Sequence, residues 1–420
     1  MSEALDINRP VSDQELSDPQ SIPLKNFDIS RPALWKANAF WPYFERMRNE
    51  DPVHWCPESE FGPYWSVTKF NDIKFVDTHP ELFSSEGGIT LGDAEENFEL
   101  PMFIAMDPPK HDHQRKVVTP VVAPQNLAKM EGIIRDRVCA ILDSLPLNEE
   151  FDWVEKVSIE LTTQMLATLF DFPFADRSKL TYWSDVATAG VGQGLIDSEE
   201  ERQKILLECL EYFTGLWNER INADEPGNDL ISMLAFGEST KNMEPLEYLG
   251  NLILLIVGGN DTTRNSITGG VVALNENPDE FEKLRSKPAL IPNMVSEIIR
   301  WQTPLAHMRR IAMEDVELGG KTIKKGDKVI MWYVSGNRDE EAIENANSFL
   351  IDRPKARQHV SFGFGIHRCM GNRLAEMQLR IVWEEILKRF SKVEMVGEPD
   401  RVPSAFVKGY LSLPVKLHAL

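Results

Sequence analysis

The sequence predicts a mainly helical α+β fold, and three observations carry that expectation. Six long stretches repeat apolar residues at three-to-four spacing. Strand-like runs are few, short and placed toward both ends, and no linker interrupts the patterning after residue 33.

In chain order, residues 1–32 are polar, proline-containing and without period, so they read as a poorly ordered tail. They lack the basic and then apolar regions of a secretory signal. One domain is expected over 33–420. Runs rich in β-branched and aromatic residues place strands at 53–56 and 64–68. The stretch 84–109 is aperiodic, and loops of that length are often lids or binding loops, although a mobile surface loop fits the same pattern. Helical period then dominates 126–145, 153–170, 198–222, 246–277 and 290–302. Strands return at 310–316 and 328–333, a sixth helix occupies 371–390, and a last strand spans 411–417. Gly-Gly pairs at 87–88, 258–259, 269–270 and 319–320 mark loops or helix irregularities.

Composition excludes several classes. The longest uncharged apolar stretch, 249–260, has about twelve residues against the roughly twenty that cross a bilayer. A formal charge of -21, spread along the chain, repels nucleic-acid phosphates and anionic lipid. Four cysteines, Cys56, Cys139, Cys209 and Cys369, without Cys-x-x-Cys spacing match neither a disulfide framework nor a zinc ribbon, and they suit the reducing cytoplasm.

Cys369 stands apart from the others. Residues 362–371 read Phe-Gly-Phe-Gly-Ile-His-Arg-Cys-Met-Gly and run into the last long helix. Glycines at 363, 365 and 371 let the backbone bend around the sulfur, and the helix adds its positive N-terminal end, which favours thiolate over thiol. A sulfur so prepared is a metal ligand, and a thiolate on haem iron favours O–O cleavage. Burial as a small hydrophobe is the usual fate of an unpaired cysteine and is the reading for Cys56, Cys139 and Cys209. A cysteine nucleophile with His367 as base is the rival at Cys369, but it leaves the aromatic-glycine framing unexplained.

The segment resembles the haem-binding loop of the cytochrome P-450 superfamily, Phe-x-x-Gly-x-x-x-Cys-x-Gly, at Phe362, Gly365, Cys369 and Gly371. The resemblance implies a helical triangular prism with a smaller β region. It also implies a haem b (iron protoporphyrin IX) ligated by Cys369, with Phe362 shielding the sulfur and His367 near a propionate.

Further motifs extend the likeness. Gly258-Gly259-Asn260-Asp261-Thr262-Thr263 sets two glycines inside a helix, where each costs roughly 1 kcal/mol relative to alanine. Either a bulge with room for a diatomic ligand, beside Asp261 and Thr262 as a proton relay, or close packing accounts for them. The stretch resembles the superfamily's oxygen-activation motif, with Gly258 where alanine is more usual. Glu297 and Arg300 resemble its Glu-x-x-Arg pair, which implies a structural network with Arg353. His111 and Arg115, four apart at an expected helix start, can face one anion. By resemblance they and Arg310 bind haem propionates, with solvated basic residues as the plain alternative.

The substrate pocket is expected to draw on 84–105, on Leu254 and Val257, on the turn of Leu305, Ala306 and Met308, and on a hairpin at 406–413. This set is mostly apolar, and core packing would produce it as well. The wording of 258–270 and 305–311 resembles the bacterial alkane terminal-hydroxylase subfamily, which implies terminal hydroxylation of medium-chain alkanes or fatty acids. A hydroxylase of a sterol, terpene or other bulky lipid is the alternative. With no flavin or iron-sulfur domain appended, electrons are expected from NAD(P)H through a ferredoxin reductase and a ferredoxin, with O2 as oxidant. Lys355, Arg357, Arg368 and Arg373 surround the cysteine loop and suit an acidic donor. A peroxygenase and a non-catalytic haem sensor are the readings from other classes, and neither needs the Asp261-Thr262 relay.

Overall fold

The computed structural model describes Ser12, Leu16, residues 18–93 and residues 98–420. These fall into two compact units, the first drawn from Met1–Asp93, Gly269–Cys369 and Glu398–Leu413, the second from Ala94–Thr268, Met370–Gly397 and Pro414–Leu420. Each unit is assembled from separate stretches, which is why no linker marks a boundary in the sequence.

Helices α1 (Pro32–Lys36) and α2 (Trp41–Glu50) precede strands β1 (Val53–Cys56) and β2 (Tyr64–Val67), helix α3 (Phe70–Thr78) and strand β3 (Phe83–Ser84). Next come α4 (Lys110–Val118), α5 (Pro124–Asp143), strand β4 (Glu150–Asp152), α6 (Glu160–Phe170), α7 (Ser178–Thr188), α8 (Glu199–Ile221), α9 (Leu230–Phe236) and α10 (Pro245–Glu276). Helices α11 (Pro278–Ser286) and α12 (Ile291–Gln302) lead to strands β5 (Met308–Ala312), β6 (Val316–Leu318), β7 (Lys321–Ile323) and β8 (Lys328–Met331), then to α13 (Tyr333–Gly336). Helix α14 (Asn372–Arg389) precedes strands β9 (Phe390–Met395), β10 (Asp400–Arg401), β11 (Tyr410–Ser412) and β12 (Pro414–Ala419).

The first unit is built on a five-stranded sheet in the order β1-β2-β8-β5-β3, antiparallel except where β2 meets β8. Ile330 of β8 and Trp332 just after it enter a cluster with Trp35, Phe40 and Phe44, while Val329 and Met331 on the other face join Val53, Val67 and Phe83 in a second cluster. The second unit packs α4 to α9, most of α10 and α14 with a three-stranded sheet, β4-β12-β9. Its helix ends are well specified. Ser198 accepts from the Glu201 amide at 3.2 Å while the Glu201 carboxylate accepts from the Asp197 amide at 2.8 Å, so two N-terminal donors of α8 are met reciprocally.

All six expected helices are present with shifted ends, and the expected helix 153–170 opens with a π-turn over Val154–Ile159. Four expectations need correction. The tail does not extend to residue 32: Phe27 and Ile29 are buried, and Arg46 donates to the carbonyls of Pro19 and Ile22, each at 2.7 Å. The rest of that tail, 1–11, 13–15 and 17, lies outside the described residues. The strand 310–316 stops at Ala312, since the Asp315 carboxylate accepts from the Lys325 amide and holds a turn. The strand 411–417 divides at Leu413-Pro414, giving β11 beside β10 and β12 between β4 and β9. Within 84–109, residues 94–97 lie outside the described residues, and both flanks are anchored: Arg309 donates to the carbonyls of Gly87 and Gly92, and Asn251 accepts from the Phe103 amide. Among the described residues no helix is long and apolar enough to cross a membrane.

Candidate active site

In the first unit the cysteine loop is held from beneath by an acid that the sequence reading passed over. Asp77, on the buried face of α3 with Phe70 and Ile73, accepts from the Phe364 amide at 2.9 Å, the Tyr333 hydroxyl at 2.9 Å and Arg310 at 3.1 Å. Burial pushes its carboxyl up, against the pull of Arg310 and those two donors. Its place in the helical period, i, i+3, i+7 from Phe70, was the signal available in the sequence. The backbone turns at Gly363 and Gly365, with φ of 62° and 64°, and the Cys369 amide closes the loop on the Phe362 carbonyl at 2.8 Å. A Cβ at Gly365 would lie 2.2 Å from the Asp77 carbonyl oxygen, so only glycine permits this approach. Phe362 is half-buried, its ring 5.3 Å from that of His359.

Cys369 is exposed, whereas Cys56 and Cys209 are buried and Cys139 is half-buried. Burial pushes the Cys56 thiol up to about 12 and the Cys209 thiol well above its ordinary value, so neither is prepared as a thiolate. Gly371 is the residue before α14, which places that helix start three residues beyond Cys369. His367 shares a 2.8 Å hydrogen bond with Ser85. Arg310, expected at a propionate, is 3% exposed, and its guanidinium also donates to the Arg309 carbonyl at 2.8 Å.

Glu297, Arg300 and Arg353 come together in the same unit. Both oxygens of Glu297 accept from Arg300, at 2.7 and 2.8 Å, and one also accepts from Arg353 at 2.9 Å. The remaining donors of the two arginines go to the carbonyls of Asn337, Ala346, Ser348, Glu344 and Asn345. None of the three carboxylate and guanidinium groups is left over for chemistry, so the geometry is that of a brace. Leu305 and Met308 are half-buried, but Ala306 is not pocket lining. It is fully buried in the Trp35–Trp332 cluster, its amide donating to Phe406 at 2.8 Å and its carbonyl accepting from Val334.

In the second unit α10 runs as regular helix through Gly258 and Gly259, so the expected bulge is absent. The two glycines do different things. A Cβ at Gly259 would come within 2.8 Å of Leu166, whereas one at Gly258 would meet nothing within 4 Å. Leu254 and Val257 are half-buried and Gly258 is exposed, leaving one uncovered face on an otherwise buried helix. Thr262, one turn on, donates to the Gly258 carbonyl at 2.9 Å.

Asp261 turns the other way and is fully buried. It accepts from Ser184 at 3.2 Å and Asn260 at 3.1 Å and pairs with Arg264 at 3.0 Å, and Arg264 pairs in turn with Asp185 at 2.6 Å. Burial pushes the Asp261 carboxyl up, opposed first by Arg264. His111 is buried on α4 with its Nδ1 2.7 Å from Asp112, and burial lowers its pKa, opposed by that carboxylate. Arg115 follows one turn later on the same face.

No three histidine, cysteine or carboxylate side chains come together to hold a bare ion among the described residues. A metal at Cys369 therefore needs its other ligands from a prosthetic group. The exposed sulfur on a glycine-shaped loop, with His367 and Arg310 in the same unit as groups of anion-binding type, fits haem.

These features define a haem-thiolate protein. Comparison with known proteins agrees: residues 111–417 match the family model described as Cytochrome P-450, and the chain belongs to the cytochrome P-450 family. It is 38% identical to linalool 8-monooxygenase of Pseudomonas putida over 93% of this chain and 98% of that one. It is 30% identical to the methyl-branched lipid omega-hydroxylase of Mycobacterium tuberculosis over 94% and 96%. The structure of CYP153D17 from Sphingomonas sp. PAMC 26605 matches with a TM-score of 0.89 at 50% identity, covering 94% of this chain and 100% of that one. The protein is thus a monooxygenase that hydroxylates an apolar substrate, using O2 and electrons from redox partners.

Proposed function

We propose that the protein hydroxylates the chain end of a medium-chain alkane or fatty acid. The observation that carries this reading is the uncovered face of α10, where Leu254 and Val257 flank the open space at Gly258 and the Thr262 hydroxyl stands one turn away. Such an apolar strip suits a hydrocarbon chain and offers few groups to orient a ring system. The sequence resemblance to alkane terminal hydroxylases supports it, as does the omega-hydroxylase relative, since an omega position is a chain end.

Bound through Cys369, haem b supplies the iron at which O2 is activated, with the thiolate's electron push favouring O–O cleavage. In this reading His111, Arg115, Arg310 and His367 hold its propionates. Thr262 holds a proton at Oγ1, and Asp261 exchanges protons through the Ser184 and Thr188 hydroxyls that donate to it, while Arg264, itself paired with Asp185, holds the carboxylate in place. Electrons pass from NAD(P)H through a ferredoxin reductase to a ferredoxin that meets the exposed Lys355, Arg357 and Arg368, in the cytoplasm.

Hydroxylation of a terpene alcohol is a second reading, favoured by the likeness to linalool 8-monooxygenase. Titrating the ferric protein with octane, dodecanoic acid and linalool, then identifying products from a reconstituted system, separates the two. A spin-state shift with octane or the acid, and a chain-end alcohol as product, is expected. A response to linalool alone would sink the alkane reading.

A further inference from the structure

The first unit contains a cavity of about 90 Å³ that the reading above does not use. That is room for several waters or for a short organic acid. Trp41, Trp301 and Tyr410 wall it, and Arg338, Arg401, Lys408 and Glu276 bring charge to it.

Arg338 is the informative residue. Its guanidinium carbon lies 3.3 Å from the centre of the Trp301 ring and 4.5 Å from that of Trp41. The residue is 7% exposed, and among the described residues no hydrogen bond or ion pair reaches its guanidinium. Arg300, fully buried, shows the contrast, since it meets a carboxylate and three carbonyls. A guanidinium against aromatic rings still offers its in-plane donor fork, which matches a carboxylate. A buried charge without such a partner is costly, and the contacts with the two rings offset only part of that cost.

The neighbours are also cationic. The Lys408 ammonium donates to the Gln302 carbonyl at 2.6 Å and lies 5.5 Å from the Trp41 ring, and Arg401 lies 5.9 Å from the Tyr410 ring. Burial, then the like charges of Arg338 and Arg401, pull the Lys408 pKa well below its ordinary value. Burial raises the Glu276 carboxyl, so the one acid present is a weak counterweight to three cations.

We infer that this cavity binds a small organic carboxylate, held in the plane of the Arg338 guanidinium, with Lys408 and Arg401 supplying charge and the apolar stem lying against Trp41, Trp301 and Tyr410. None of the residues assigned to the haem centre takes part, nor do Leu254, Val257 and Gly258 of the proposed substrate strip. Titration calorimetry of the haem-loaded full chain with sodium butyrate tests it. One saturable site is expected, with no binding of the neutral butyramide. Arg338→Gln should weaken it roughly ten- to a hundredfold, as loss of a charged hydrogen bond does. Glu276→Gln, which removes a competing carboxylate, should tighten it, an effect that a merely structural role for Arg338 does not produce. Absence of saturable binding, equal binding of butyramide, unchanged binding in a folded Arg338→Gln protein, or a site that takes inorganic phosphate instead of butyrate would each overturn the inference.

Discussion

At the scale of single residues, the chemistry rests on how few side chains are left uncovered. Cys369 is the exposed cysteine of four, and Cys369→Ser should abolish the red-shifted Soret band of the reduced, carbon-monoxide-bound protein while leaving the far-ultraviolet circular dichroism intact. Retention of that band would remove the thiolate assignment. Thr262→Ala should keep haem but divert electrons to peroxide, read as NAD(P)H consumed without matching product. The meeting of Glu297, Arg300 and Arg353 was legible through the family resemblance of the Glu-x-x-Arg pair, since spacing alone gives only an ordinary helix-face pair. Asp77 was not, because its partners Phe364, Tyr333 and Arg310 are remote in sequence and only the fold brings them to one carboxylate.

At the scale of elements, α10 and the pairing of α5 with α14 carry distinct expectations. Gly259→Ala forces a Cβ to 2.8 Å from Leu166 and should cost about 1–3 kcal/mol, whereas Gly258→Ala meets open space and should leave stability unchanged or raise it by up to about 1 kcal/mol. Urea midpoints of the two variants check the pair, and a reversed order would contradict the placement of the helix. Helix α14 is joined to α5 by Arg135, which meets Glu384 and Glu385 at 2.6 Å each. Burial pulls the Glu385 carboxyl up, but Lys388, Arg389 and Arg135 outweigh it and hold it down to about 2. A carboxyl depressed in the folded state contributes stability above its unfolded value near ~4.3, and that contribution is lost as pH falls toward 2. Glu385→Gln should therefore lower stability at neutral pH and flatten its decline in acid, and an unchanged slope would dismiss the pairing. Helix existence was readable from period, since apolar spacing reports a buried face. Strand ends were not, because a side-chain turn at Asp315 and a proline at 414 interrupt runs whose composition is still strand-like.

At the scale of the whole molecule, the first residues belong to the packed structure more than their polarity suggests. A chain that begins at Arg31 loses Phe27, Ile29 and the carbonyl partners of Arg46, and should be about 3–5 kcal/mol less stable, measured as a fall in urea midpoint. The mainly helical class with a minor β region was legible because period and run length differ so strongly between the two kinds of segment. The division into two units was not, since it depends on which distant stretches pack together. Helix α10 illustrates what that interleaving means. At Gly250, Gly259 and Gly269 its backbone is approached within 3 Å of a notional Cβ by Pro101, Leu166 and Gln302 in turn. The helix is therefore not an exchangeable cassette: a chimaera that imports it from a relative with bulkier residues at these positions must import those three neighbours as well, so crossover points in recombination belong on either side of the whole set.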